Sequence, residues 1–120
     1  MDENIRKQFT EAKINIDEAM IRFAGRYDLM ERFLKRFPED KNFSMLVEAF
    51  EKDDAENALR ASHTLKGLCG NLSMDEMREL FAEQVELLRA DEYEKAKALM
   101  PEITEKYNAM IDCVKRICNM

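Results

Sequence analysis

Apolar residues recur at intervals of three and four along most of the chain, the spacing of a helix that buries one face. In the last stretch Tyr93, Ala96, Met100, Ile103, Tyr107, Met110, Val114 and Ile117 form one such stripe. Similar periodicity runs through residues 28–52, 54–72 and 74–90. Four long helical segments are predicted, the last over 92–118, with one or two short helices before them in residues 1–25.

A recurring sequence signal suggests where these segments begin. A capping residue followed three positions later by glutamate lets each side chain satisfy an orphan amide of the first turn. The pairs are Asp28 with Glu31, Asp53 with Glu56, Ser73 with Glu76, and Asp91 with Glu94. Asn15 with Glu18 opens a shorter segment that runs to Gly25. Pro101 falls inside the last stripe and predicts a kink, because its ring displaces a carbonyl and removes an amide donor. Pro38 divides LMERFLKRF from NFSMLVEAF and predicts a bend or two abutting helices. The links at 52–54, 72–74 and 90–92 are short, which makes successive helices antiparallel. The expected fold is all-α, an antiparallel up-and-down four-helix bundle over 28–118 within a single domain of residues 1–120.

Composition narrows the function classes. With 120 residues, 46% hydrophobic and 37% charged, and with three glycines, two prolines and no tryptophan, the chain suits one helical core. Its net charge of −6 argues against nucleic acid and acidic membrane surfaces as partners. The polar start MDENIRKQFTEAKINIDEAM lacks the order of a signal peptide, and no apolar run is long enough for a membrane span, so a cytoplasmic monomer is expected. Cys69, Cys113 and Cys118 make neither an even disulfide set nor a CxxC pair. Cys69 reads as a small core residue and the other two as free thiols. The nine methionines and seven phenylalanines fall mostly on the apolar stripes, which favours core packing over a peptide groove.

The run ASHTLKGLCGN, residues 61–71, holds the only histidine and two of the three glycines. On a helical wheel Ala58, Ser62, Leu65, Cys69 and Leu72 form the core face, and His63 lies off it. Leu59, Lys66, Gly67 and Gly70 share the histidine's stripe, with Arg60 one turn back. Glycine inside a helix costs about 1 kcal/mol relative to alanine. Clearance for another molecule beside the imidazole is a physical reason for accepting it. Gly70 has a second reading as a helix-terminal glycine, whereas Gly67 lies too early for one. Lys66 places an ammonium near the ring, suited to an anion held there. A neutral imidazole is a competent nucleophile without a metal or a neighbouring base.

The run His63, Thr64, Leu65, Lys66, Gly67, followed by Gly70, Asn71 and Leu72, resembles the HxxKG motif of histidine-containing phosphotransfer (HPt) domains of bacterial phosphorelays. NIDEAMIRF, DAENALRASHTLKGLCGNL and MRELFAEQVELLR are similar to successive segments of that family. The resemblance implies that His63 accepts a phosphoryl group from a receiver-domain aspartate and passes it to another receiver. Lys66 would stabilise the phosphate and Gly67 would admit the receiver. Leu59, Arg60, Thr64, Gly70 and Asn71 would border the partner. Receiver domains and hybrid sensor histidine kinases are the implied partners, and the receiver would bring the Mg²⁺, leaving this chain without a cofactor of its own. Ser73 stands where the family usually has glycine, and Val85 where some members have a glutamine, with Gln84 one residue away.

With no phosphate-cradling loop, the expected role is a carrier rather than a kinase. The alternative is a non-enzymatic helical adaptor that docks a partner through the His63 face. A metal bundle lacks ligands, and nothing orients a hydrolytic triad.

Overall fold

The helical periodicity is realised through nearly the whole computed structural model, which describes residues 2–120. The elements are α1 (Glu3–Glu11), α2 (Ile16–Arg22), α3 (Tyr27–Arg36), a 3-10 turn (Phe37–Glu39), α4 (Asn42–Glu51), α5 (Ala55–Asn71), α6 (Asp75–Arg89), α7 (Tyr93–Ala98) and α8 (Met100–Ile117). Among the described residues there is no strand. The fold is all-α, and the two short helices α1 and α2 precede the bundle as expected.

Helix α5 packs between α4 and α6, and α6 packs on α7 and α8. The bundle closes where α8 meets the 3-10 turn, α3 and α1. Antiparallel order is visible in the side chains. Ser62 bonds Gln84 and Gly70 faces Arg78, two pairs that converge on the link between α5 and α6. Glu76 with Lys106 and Gln84 with Met100 do the same for α6 and α8.

At the centre of the core Tyr107 stacks on Phe43 with centroids 4.1 Å apart and meets Phe37 at 5.1 Å. The apolar stripe of the last segment supplies Ala96, Ile103, Tyr107, Met110, Val114 and Ile117 to this interior, while Tyr93 and Met100 are half-buried. Met30, Met74, Met77 and Met110 are also buried, so these methionines are packing residues.

Both prolines act at boundaries. Around Pro38 the chain forms two separate helices, α3 and α4, with the 3-10 turn between them. Pro101 does not kink a continuous helix. It lies in the first turn of α8, where an absent amide donor costs nothing, and Leu99 forms a turn between α7 and α8.

Three of the expected capping residues serve the preceding helix instead. Asp53, Ser73 and Asp91 have φ of +51°, +56° and +61°, the left-handed conformation that closes a helix. The Asp53 amide donates to the Phe50 carbonyl at 3.2 Å and the Asp54 amide to the Ala49 carbonyl at 2.8 Å. Ser73 and Met74, and Asp91 and Glu92, repeat this pattern. The next helix then begins almost at once. Asp54, not Asp53, caps α5 by accepting from the Asn57 amide at 3.1 Å, while α6 and α7 have no side-chain cap. Asp28 lies inside α3 and pairs with Arg26 at 3.0 Å. Asn15 does cap α2, accepting from the Glu18 amide at 3.1 Å.

Ala24 adopts the same left-handed conformation, with φ of +53°, after α2. An L-residue there costs about 1–2 kcal/mol, partly offset in a glycine variant by the greater freedom of its unfolded chain. Ala24→Gly is therefore expected to stabilise the protein by about 0.5–1 kcal/mol in urea denaturation. A loss of stability would contradict this account of the α2 terminus.

Candidate functional site

Helix α5 carries the candidate site, and its two sides differ sharply. Ala58, Ser62, Leu65, Cys69 and Leu72 are buried as the wheel predicts, together with Ala61. His63, next in sequence to a fully buried serine, is exposed. Among the described residues its imidazole has no hydrogen bond or ion pair within the chain.

The row Ser62, Lys66, Gly70 follows the border between α5 and α6, because residues four apart lie one above another on a helix. At one end the Ser62 hydroxyl donates to Gln84 Oε1 at 2.8 Å. At the other, Gly70 faces the side chain of Arg78. Lys66 lies between them, half-buried, with no carboxylate within 4 Å among the described residues. Its ammonium therefore keeps an uncompensated charge.

The two glycines part company here. A Cβ built on Gly67 meets nothing within 4 Å, so the space beside it is open to an incoming molecule. A Cβ on Gly70 would lie 3.1 Å from Arg78 Cδ and 3.7 Å from Cγ. The clearance at Gly70 is filled from within the protein, which corrects the reading of both glycines as one approach path. Gly70 is not a helix-terminating glycine either, since α5 continues to Asn71 and Ser73 supplies the left-handed residue.

The other residues of the motif are distributed around the helix. Leu59 is half-buried, and Arg60 is exposed but pairs with Glu56 at 3.2 Å on its own helix. The Thr64 hydroxyl donates to the Arg60 carbonyl at 3.0 Å. Thr64 and Asn71 lie roughly 80–100° around the wheel from His63. Asn71 borders an apolar cavity with Phe23, Phe33 and Leu68, toward α2 and α3. The structure thus groups His63, Lys66, Gly67 and Gly70, and sets Asn71 apart.

Gln84 has a different place from an imidazole contact. It is fully buried, and its Nε2 donates to the Ala96 carbonyl at 3.0 Å and to Met100 Sδ at 3.3 Å while its Oε1 accepts from the Ser62 hydroxyl. Its amide is committed to holding α5, α6 and the α7–α8 junction together. Val85 is also fully buried. A sequence clue existed in Ser62, a hydroxyl on an apolar face that required a buried partner.

The cysteines offer no competing nucleophile at neutral pH in the core. Burial pushes the Cys69 thiol up to about 12, and it also raises that of Cys118. All three are free thiols. Among the described residues no cluster of three or more histidine, cysteine or acidic side chains is placed to hold a metal ion.

Gln84→Leu would strand the buried Ser62 hydroxyl and remove the side-chain bonds to the Ala96 carbonyl and Met100, leaving that carbonyl only its longer 3.3 Å bond from the Leu99 amide. The expected cost is about 2–3 kcal/mol in chemical denaturation. Wild-type stability in that variant would show that the buried bonds do not hold the helices together.

No described helix is long and apolar enough to cross a membrane. A search of curated proteins and a search of solved structures each returned no match. Comparison with protein families matches residues 28–117 to the Hpt domain, whose members carry phosphoryl groups in phosphorelays. The match spans the segments from α3 through α8, and the chain belongs to the Hpt domain family.

Proposed function

We propose that the chain is a phosphocarrier whose acceptor is His63, charged by the aspartyl phosphate of one receiver domain and discharged to the aspartate of another. The observation that supports this most is the pairing of an exposed His63, its imidazole free of bonds within the chain, with open space beside Gly67 one turn away. A transferable group needs both a nucleophile not engaged elsewhere and room for the protein that donates it.

In the transfer the lone pair of the neutral imidazole nitrogen attacks phosphorus and the N–P bond forms. The P–O bond to the aspartyl oxygen breaks, and its electron pair leaves with the regenerated carboxylate. The phosphoryl oxygens keep their negative charge throughout. The proton on the other ring nitrogen can remain or be released to water, and reversal of the same step passes the group onward. Lys66, with no internal carboxylate to neutralise it, supplies positive charge beside those oxygens. Mg²⁺ would come with the receiver, and this chain would contribute nucleophile, cation and access. The partner would rest on the His63 stripe, with Leu59, Arg60, Thr64 and Asn71 toward its edges.

Incubation with a receiver domain phosphorylated by acetyl phosphate is expected to give acid-labile, base-stable label on the wild-type chain and none on His63→Gln. Label that persists on His63→Gln would overturn the assignment. Lys66→Ala is expected to slow transfer by about 10- to 100-fold, the effect of losing a charged hydrogen bond of about 1.5–3 kcal/mol. An unchanged rate would remove Lys66 from the site.

Gly67 separates stability from function. Gly67→Ala is expected to raise stability by up to about 1 kcal/mol, because the methyl group meets nothing and alanine favours helix. Gly67→Gln, with a longer side chain in the same space, is expected to slow transfer from the receiver. Wild-type transfer in Gly67→Gln would show that no partner approaches there.

A further inference from the structure

We propose that Arg78 is a partner-recognition residue, which meets a carboxylate on the docking face of the incoming receiver and is held in place by Gly70. This rests on the reading of His63 as the phosphoryl acceptor and adds a residue from a second helix to its surface.

Arg78 lies in the first turns of α6, and its stem packs against the bare Cα of Gly70, with Cδ 3.1 Å from where a β-carbon would stand. Gly70 follows His63 by seven residues, two helical turns, so it shares the histidine's side of α5 at a rise of about 10 Å. The seat therefore brings a cation from α6 to the end of the His63 stripe. Without it, a β-carbon on α5 would push the stem away from the border.

The charge has no local purpose that the structure reveals. Arg78 is exposed, and no carboxylate lies within 4 Å of it among the described residues. Glu76, two residues before it, is committed to Lys106 at 3.2 Å and Lys13 at 3.3 Å. The position near the N-terminus of α6 is mildly unfavourable for a cation, because the helix dipole is positive there. Many other cations of this acidic chain pair with carboxylates, as Arg60 does with Glu56 and Lys52 with Glu48. Lys66 and Arg78 thus mark two points of positive charge along one exposed border. That arrangement suits an acidic protein surface, and arginine's planar fork suits a carboxylate in particular.

The test is single-turnover transfer from an excess of a receiver domain phosphorylated by acetyl phosphate, chosen as the one that labels the wild-type chain fastest; the half-saturating receiver concentration is read as KM and the saturating rate constant as kcat. Arg78→Ala is expected to raise the KM for the phosphorylated receiver about threefold and Arg78→Glu about tenfold, with kcat changed much less. Arg78→Lys should recover part of the difference. The gap between wild type and Arg78→Glu should shrink as salt rises from about 0.05 M to about 0.5 M. Gly70→Ala, which displaces the stem, should raise KM in the same direction. Thermal unfolding of each variant confirms that it is folded.

Wild-type KM in both Arg78→Ala and Arg78→Glu would overturn the inference. A fall in kcat alone, with KM unchanged and no salt dependence, would also overturn it, because it would mean that Arg78 acts elsewhere than in docking. Label on His63→Gln would instead defeat the acceptor assignment, so the two failures are distinct.

Discussion

The hydrogen bond from Ser62 to Gln84 sets the rotation of α5, and the surface chemistry of the protein depends on that rotation. Ser62 is fully buried, and its hydroxyl has one partner, 2.8 Å away on α6. Gln84 is fixed in turn by the Ala96 carbonyl and Met100 Sδ. With Ser62 held inward, the next residue, His63, points outward. Lys66 and Gly70 then run along the border with α6, and Gly67 faces open space. A buried polar bond specifies orientation more sharply than apolar packing, since a small rotation of α5 would leave both groups unsatisfied in a medium that penalises them.

The border of α5 and α6 carries two cations, Lys66 and Arg78, without an ion pair among the described residues. Several cations of this acidic chain are paired with carboxylates on their own helix, as with Arg22 and Glu18 or Lys35 and Glu31. Such exposed pairs add little to stability, but they leave little field for a partner to read. Lys66 and Arg78 are among the cations with no carboxylate within 4 Å among the described residues, as Arg32, Arg36, Lys41, Lys115 and Arg116 also are, and these two share the border of α5 and α6. The space beside Gly67 is open, whereas that beside Gly70 is filled by Arg78, so two residues that look alike in sequence have opposite surroundings.

Much of this was legible in the sequence. The core face of α5 followed from the wheel residue by residue, because burial at helical spacing depends only on local geometry. The starts of α2, α3, α5, α6 and α7 were found within one or two residues, though often for the wrong physical reason, while those of α4 and α8 lay inside segments read as continuous. Asp53, Ser73 and Asp91 have side chains suited to an N-cap, and they also occupy left-handed positions at the ends of the preceding helices. In links this short, the two signals fall on adjacent residues and composition does not separate them. Pro101 was read as a kink because the apolar stripe runs on through it, whereas the chain breaks at Leu99 and restarts. The roles of Gln84 and Gly70 depend on the register of α6 against α5, which no single helix encodes.

The central claim is that a partner docks on the side of α5 that this rotation exposes. Amide chemical-shift mapping of the isotope-labelled protein, titrated with an Mg²⁺-loaded receiver domain that accepts its phosphoryl group, tests this most directly. The largest shifts are expected at His63, Lys66, Gly67 and Arg78, fading toward Asn71. Shifts centred on the cavity between Phe23 and Phe33, or on α1 and α2, with the His63 stripe unmoved, would contradict it.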